Sequence, residues 1–284
     1  MDLERIRSAA IKLMARDHVA DVTRLDSLLA KGETATLSTE VPPNPYVGNP
    51  AAVTPNSCIA VMGINPALNM KRDGFIRNEI DTPLACKRQY EKTTEKSSFD
   101  PWLEKIHGYY QGDAYSKAYF AGLGGKIAAA WFAEQAGNDP KDATIRQILH
   151  NNVVKFDTIP YYSAKAGGLA KDCVVYRLEN DPALKCHLNC ITALVEETRP
   201  RLLLVNGKGI PGAVAREIFA VKDTMETLQP GASVRTRFDV GGCRIGKHEM
   251  PMMIVRFLTG EWCPSMEHWI EIHLEFEKWL QTQS

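Results

Sequence analysis

Short apolar runs separated by helical segments are the feature of this sequence that most constrains its fold. The four runs are Cys58–Met62, Asn152–Phe156, Arg201–Val205 and Met252–Leu258. A short apolar run is typical of a strand that is buried on both faces of a sheet. Strands that alternate with helices predict an α/β fold, here a three-layer α/β/α sandwich with a short, mostly parallel central sheet. Because ligands of such sheets bind at the carboxyl ends of the strands, we expect a site near residues 63, 157, 206 and 259.

The remaining segments divide the chain into an N-terminal part and a main domain. Residues 1–50 combine helical periodicity with a Pro-rich passage, and we expect them to form a helical extension. Residues 51–284 are expected to form the α/β domain, with a polar and aromatic insertion at about 67–117 that stays outside the core. The helices predicted in this domain are Tyr119–Gln135, Pro182–Thr198, Ala213–Ala220 and a C-terminal helix.

Two local patterns predict how elements begin and turn. Asp181 is the expected N-cap of the helix that Pro182 opens. The runs Val234–Val240 and Cys243–Lys247 predict a hairpin that turns at the intervening Gly-Gly pair.

Composition excludes several classes of protein. The chain has 34 Lys+Arg against 34 Asp+Glu, so its formal net charge is zero. A net charge of zero argues against a protein that coats nucleic acid non-specifically. It still allows a locally basic face, since the insertion is rich in Lys, Arg and aromatic residues.

The sequence contains no run of eighteen apolar residues, so it predicts no membrane span. Seven cysteines, an odd number without a secretory leader, favour free thiols in a cytoplasmic protein.

Two short motifs stand at strand ends. Gly63-Ile64-Asn65-Pro66 follows the first run, and Cys263-Pro264-Ser265 precedes the C-terminal helix. Taken alone, the first motif is also typical of a turn that ends a strand. Together, the pair resembles the two motifs of the uracil-DNA glycosylase superfamily, closest to its mismatch-specific/thymine-DNA and single-strand-selective branches. The resemblance covers about residues 56–282.

The resemblance implies a DNA partner, a role for each matched residue, and no metal or other cofactor in an enzyme expected to be monomeric. Asn65, in the turn that Gly63 and Ile64 form, would position the water that attacks the sugar C1′. Phe75 would stack on the extruded base, whose pocket would also include Phe156 and Cys263. A phosphate would be held by Ser265 and Pro264 at a helix start, with Lys208 as a further phosphate contact.

This chain departs from the family pattern in three places. Ala67 stands where this branch usually has Gly, and Cys263 where relatives carry His, Asn or Met. Asp157 stands where an Asn reads the uracil edge in much of the superfamily. An ionised carboxylate only accepts hydrogen bonds, so Asp157 would oppose uracil O4 and accept from the N4 amine of cytosine. The alternative is that Asp157 is a structural cap.

The predicted activity is therefore that of a monofunctional DNA glycosylase, with a modified cytosine favoured over uracil, in DNA repair or in defence against foreign DNA. One alternative is an NAD-binding Rossmann oxidoreductase, because Gly207–Gly212 matches G-x-G-x-x-G between a strand and a helix. A second is a non-catalytic relative that only binds DNA. Cys186 and Cys190 have a spacing that a metal site can use, but we favour core thiols for both.

Overall fold

A computed structural model describes residues 1–29, 37–64, 66, 75–112, 117–163, 169–230, 237–256 and 265–283, with the backbone alone for 75–80 and 117–122. The α-helices in these ranges are α1 Leu3–Met14, α2 His18–Leu29, α3 Phe75–Thr93, α4 Asp100–His107, α5 Lys117–Trp131, α6 Ala133–Ala136, α7 Asp142–Asn152, α8 Lys171–Asn180, α9 Pro182–Thr198, α10 Ile210–Val214 and α11 Met266–Thr282. The strands are β1 Ile59–Gly63, β2 Val153–Asp157, β3 Leu202–Asn206, β4 Glu226–Leu228, β5 Phe238–Ile245 and β6 His248–Val255.

The strands form one six-stranded sheet in the order β2-β1-β3-β6-β5-β4. The pairs β1–β2, β1–β3 and β3–β6 are parallel, whereas β5 runs antiparallel to both β6 and β4. Each of the four predicted apolar runs contributes one of the parallel strands. The predicted mixed α/β architecture with a mostly parallel sheet is confirmed.

Alternating side chains along the strands feed two apolar layers. On β1, Ala60 and Met62 pack into the layer formed with α1, α2, α4, α8 and α9. Ile59 and Val61 point to the other face, where the layer includes side chains of α5, α7 and α11. Helices therefore cover both faces of the sheet, as the buried apolar strands predicted.

The N-terminal helices pack on the main core. Ile6, Ala10 and Ile11 of α1 are buried in the layer that contains Ala60 and Met62 of β1. We call this layer the main cluster. Arg24 of α2 forms an ion pair with Asp181, the residue whose carboxylate also caps α9 by accepting from the amide of Ala183 at 2.8 Å. The predicted cap at Asp181 is confirmed, and it also connects α2 to the core.

The insertion supplies core side chains, so the expectation that it stays outside the core is wrong for its described second half. Phe99, Trp102, Leu103 and Ile106 are buried in the main cluster. Lys87 is buried as well, and its ammonium donates to the carbonyl of Ala15 at 2.6 Å. These groups link α3 and α4 to the N-terminal helices.

The predicted hairpin is also wrong, because residues 238–245 on both sides of the Gly-Gly pair form the single strand β5, which pairs with β6. Gly241 and Gly242 lie inside β5, where a Cβ on Gly241 would come within 2.5 Å of the sulfur of Met225. The chain turns instead at Gly246, whose φ of +61° is a left-handed conformation that glycine adopts without strain. In the described ranges, no helix has the length and apolar character needed to cross a membrane.

Candidate functional site

Hydrogen bonds connect the chain beyond the carboxyl end of β1 to the chain beyond β2. Gly63 and Asp157 are register partners at the ends of these parallel strands. The carbonyl of Gly63 accepts from the amide of Thr158 at 2.9 Å and from its hydroxyl at 2.8 Å. The carbonyl of Ile64 accepts from the amide of Ile159 at 2.9 Å. Gly63 and Ile64 of the first motif are thus fixed relative to the end of β2.

The hydrogen bonds continue to the last residue of the motif. The backbone carbonyl of Pro66 accepts a hydrogen bond from the amide of Ser163 at 3.1 Å. Asn65 itself lies outside the described residues, but its neighbours on both sides are bonded to the segment that follows β2. This places the backbone on either side of Asn65 next to the end of the second strand.

A buried ion pair lies over the end of β1. The ammonium of Lys155 is 2.6 Å from Oδ2 of Asp157, and their side chains are 9% and 7% exposed. A Cβ added to Gly63 would clash with Oδ1 of Asp157 and lie 3.6 Å from Cε of Lys155. Glycine at position 63 leaves room for the carboxylate of Asp157, which a larger residue would have to displace.

His187 of α9 holds the backbone of the same strand end. Its Nε2 lies 2.6 Å from the carbonyl oxygen of Asp157, and because a carbonyl only accepts, Nε2 carries the proton. Its Nδ1 is buried and has no hydrogen-bond partner among the described residues. Burial lowers the pKa of His187 to about 4, which keeps the ring neutral. Asp157 is thus held through its side chain by Lys155 and through its backbone by His187.

We expect acid to destabilise the fold through His187. Its pKa in the folded protein is lower than the ordinary histidine value of 6.5, so the unfolded chain takes up the proton first and stability falls as the pH drops from about 6.5 to about 4. Between pH 7 and pH 5 this group alone should lower the free energy of unfolding by ~2 kcal/mol. Urea unfolding at both pH values tests this.

The matched variant for this experiment is His187→Gln, since other buried histidines also titrate. Its free energy of unfolding should fall less between the two pH values than that of the wild type, by the contribution of His187. An identical pH dependence of the two proteins would contradict the assignment.

The remaining residues predicted for the base pocket are only partly described. Phe156 is 1% exposed and packs in the main cluster, which lies on the face of the sheet opposite Asp157. Its ring is therefore part of the apolar core, and its predicted role in the base pocket stays a prediction. Phe75 opens α3, but its side chain is not described. Cys263, together with Asn65, lies outside the described residues.

The predicted phosphate contacts are described in part. Ser265 is exposed and caps α11, where its hydroxyl accepts from the amide of His268 at 3.2 Å. Pro264 lies outside the described residues. The ammonium of Lys208 is 3.1 Å from Asp239, which also pairs with Arg216. Asp239 faces Ile254 near the end of β6, so this cluster lies at the same edge of the sheet and carries one net positive charge.

The Gly-rich turn after β3 leads into short helical segments. Helix α10 is five residues long, and a five-residue π-helical turn, Ala215–Phe219, follows it. A Cβ on Gly212 would come within 3.1 Å of Ile254, so this glycine allows close packing on the neighbouring strand. Such packing accounts for the glycine without a nucleotide.

Cys186 and Cys190 are both buried on α9. Burial raises the pKa of each thiol, so both are protonated and unreactive at neutral pH. This fits the interpretation as core thiols.

Two residues of this site were missed from the sequence. Lys155 is the one charged residue in the run Asn152–Phe156, and an ionisable side chain in a strand buried on both faces is a usable signal. His187 lies in the apolar stretch of an amphipathic helix, and nothing in its neighbourhood in sequence indicates its contact with β2. No family model matches the chain, and no curated protein matches it.

Proposed function

We propose that this protein is a monofunctional DNA glycosylase that hydrolyses the N-glycosidic bond of a flipped pyrimidine and leaves an abasic site. The observation that carries the proposal is the connection between the two strand ends, which sets the first motif beside a buried carboxylate, Asp157. The resemblance of the two short motifs to the uracil-DNA glycosylase superfamily gives the chemistry. The protein's partner is DNA.

The proposed reaction needs a positioned water and a pocket for the base. Asn65 orients the water, because a neutral amide is a poor base but can hold a water in place for attack on C1′. The sugar passes through an oxocarbenium-like state as the base leaves. Rigid strand ends suit this chemistry because small displacements of the attacking water are costly.

The carboxylate favours a cytosine-type base over uracil. Asp157 accepts hydrogen bonds, and the exocyclic N4 amine of cytosine donates, whereas uracil presents an accepting O4 at that position. Excision of ordinary cytosine would damage the cell's own genome. A modified cytosine, in damaged or foreign DNA, is therefore the proposed substrate, which points to repair or to defence.

A panel of labelled duplexes tests the proposal and the base together. Each duplex carries uracil, cytosine or a C5-modified cytosine at one position, and alkali reveals abasic sites as strand breaks. We expect breaks at the modified cytosine to form faster than at uracil. Robust release of uracil with inert cytosines would contradict the base assignment, and the absence of breaks at every base would contradict the proposed activity.

A further inference from the structure

The buried end of β2 is an unusual place for two charged side chains. Lys155 and Asp157 are two residues apart on one strand, so their side chains share a face of the sheet. Their charged atoms are 2.6 Å apart and both side chains are more than nine-tenths buried. Burying an ion pair costs desolvation that the contact itself often fails to offset. A buried ion pair at the carboxyl ends of parallel strands, where ligands of such sheets bind, therefore calls for a role beyond stability.

The pair belongs to the proposed pocket by position. Asp157 faces Gly63 and Lys155 faces Val61 in the register of β1 and β2. Cε of Lys155 would be 3.6 Å from a Cβ on Gly63, two residues before Asn65 in the chain. The ammonium is thus held close to the strand end at which the base is proposed to bind.

We infer that Lys155 is a further catalytic residue whose ammonium stabilises the negative charge on the departing base; this inference rests on the proposed function. When the bond between C1′ and the base nitrogen breaks, its electron pair leaves with the base. The oxygen of water bonds to C1′, and the proton that the water loses ends on the base. Lys155 remains protonated throughout. Its attraction grows as charge develops, so it lowers the barrier more than it strengthens binding.

The inference also explains how a carboxylate is tolerated at this position. Asp157 alone would repel a base that leaves as an anion, because like charges in a buried site interact strongly. An ammonium 2.6 Å away offsets that charge, while the carboxylate can still accept from an exocyclic amine. The two residues therefore act as one unit, in which Asp157 reads the base and Lys155 supports its departure.

The test is whether removal of the ammonium changes the sensitivity to leaving-group acidity. Lys155→Met and Lys155→Arg are compared with the wild type in single-turnover release of two C5-substituted cytosines. One base carries electron-withdrawing fluorine and the other an electron-donating methyl group. Lys155→Met should lower release of the methylated base by about 10²-fold and of the fluorinated base by about tenfold or less. Lys155→Arg, which keeps the cation, should retain the sensitivity of the wild type.

One control variant and four further outcomes keep the interpretations distinct. The double variant Lys155→Met/Asp157→Asn leaves no buried charge unpaired, and its leaving-group sensitivity should match that of Lys155→Met if the single variant folds poorly. Equal losses on both bases would overturn the inference, as would a borohydride-trapped covalent DNA adduct that requires Lys155. If the wild type releases no base at all, the proposed function fails and the inference with it. Release by the wild type with an unchanged Lys155→Met variant removes the inference alone.

Discussion

Replacement of Asn65 by alanine is expected to lower the single-turnover rate of base release by about 10²-fold or more, since the attacking water loses the group that orients it. Binding to the same duplex should change little, because the proposed phosphate contacts lie elsewhere. The rate of abasic-site formation and the dissociation constant, measured at one salt concentration, check both expectations. Release that survives the substitution would contradict the proposed mechanism.

A matched control for this variant is Asn180→Ala. Asn180 is the last residue of α8, exposed, and its amide donates to the carbonyl of Tyr176 at 2.7 Å. The control should release base at the rate of the wild type. If both asparagine variants lose activity equally, the loss comes from general instability and says nothing of Asn65.

Replacement of Asp157 by asparagine is expected to change both base preference and stability. The ratio of release of cytosine-type bases to uracil should fall by about one to two orders of magnitude, which corresponds to the ~1–3 kcal/mol that a good base-edge contact discriminates. The variant also leaves the buried ammonium of Lys155 without its carboxylate, and loss of one partner of a buried pair costs ~3–5 kcal/mol. Base-release rates and urea unfolding measure the two effects.

Asp239→Asn separates the two effects. Asp239 is also buried at this edge of the sheet and also has cationic partners, Lys208 and Arg216. The control should lose stability without a change in the ratio of cytosine to uracil release. An Asp157→Asn variant with an unchanged ratio would assign Asp157 a purely structural role.

The four parallel strands, α9 and the C-terminal helix α11 could be predicted because their signals are local. Apolar runs such as Cys58–Met62 reflect burial on both faces of a sheet, and the pair Asp181-Pro182 identifies the start of α9. The prediction of the hairpin turn failed for a reason that is not local. Gly241 is required by the close approach of Met225, and the turn falls at Gly246. A glycine needed for packing and a glycine needed for a turn look alike in a sequence.

The placement of Gly63 and Asp157 at one edge of the sheet could be predicted, but their contacts could not. The positions of Gly63 and Asp157 at strand ends follow from the apolar runs and the parallel topology. The hydrogen bond from His187 joins residues 30 positions apart, and the burial of Phe99 and Trp102 depends on how α4 packs. Such contacts arise from tertiary packing, which overrides local composition.

The most direct test of the central claim is to quantify, in one reaction, the free base and the abasic sites that the wild-type protein produces. The substrate is a duplex with a single C5-modified cytosine, the free base is measured by mass spectrometry, and abasic sites are counted by an aldehyde-reactive label. We predict that base and abasic sites appear together in a one-to-one ratio. Binding of the duplex without either product would contradict the account.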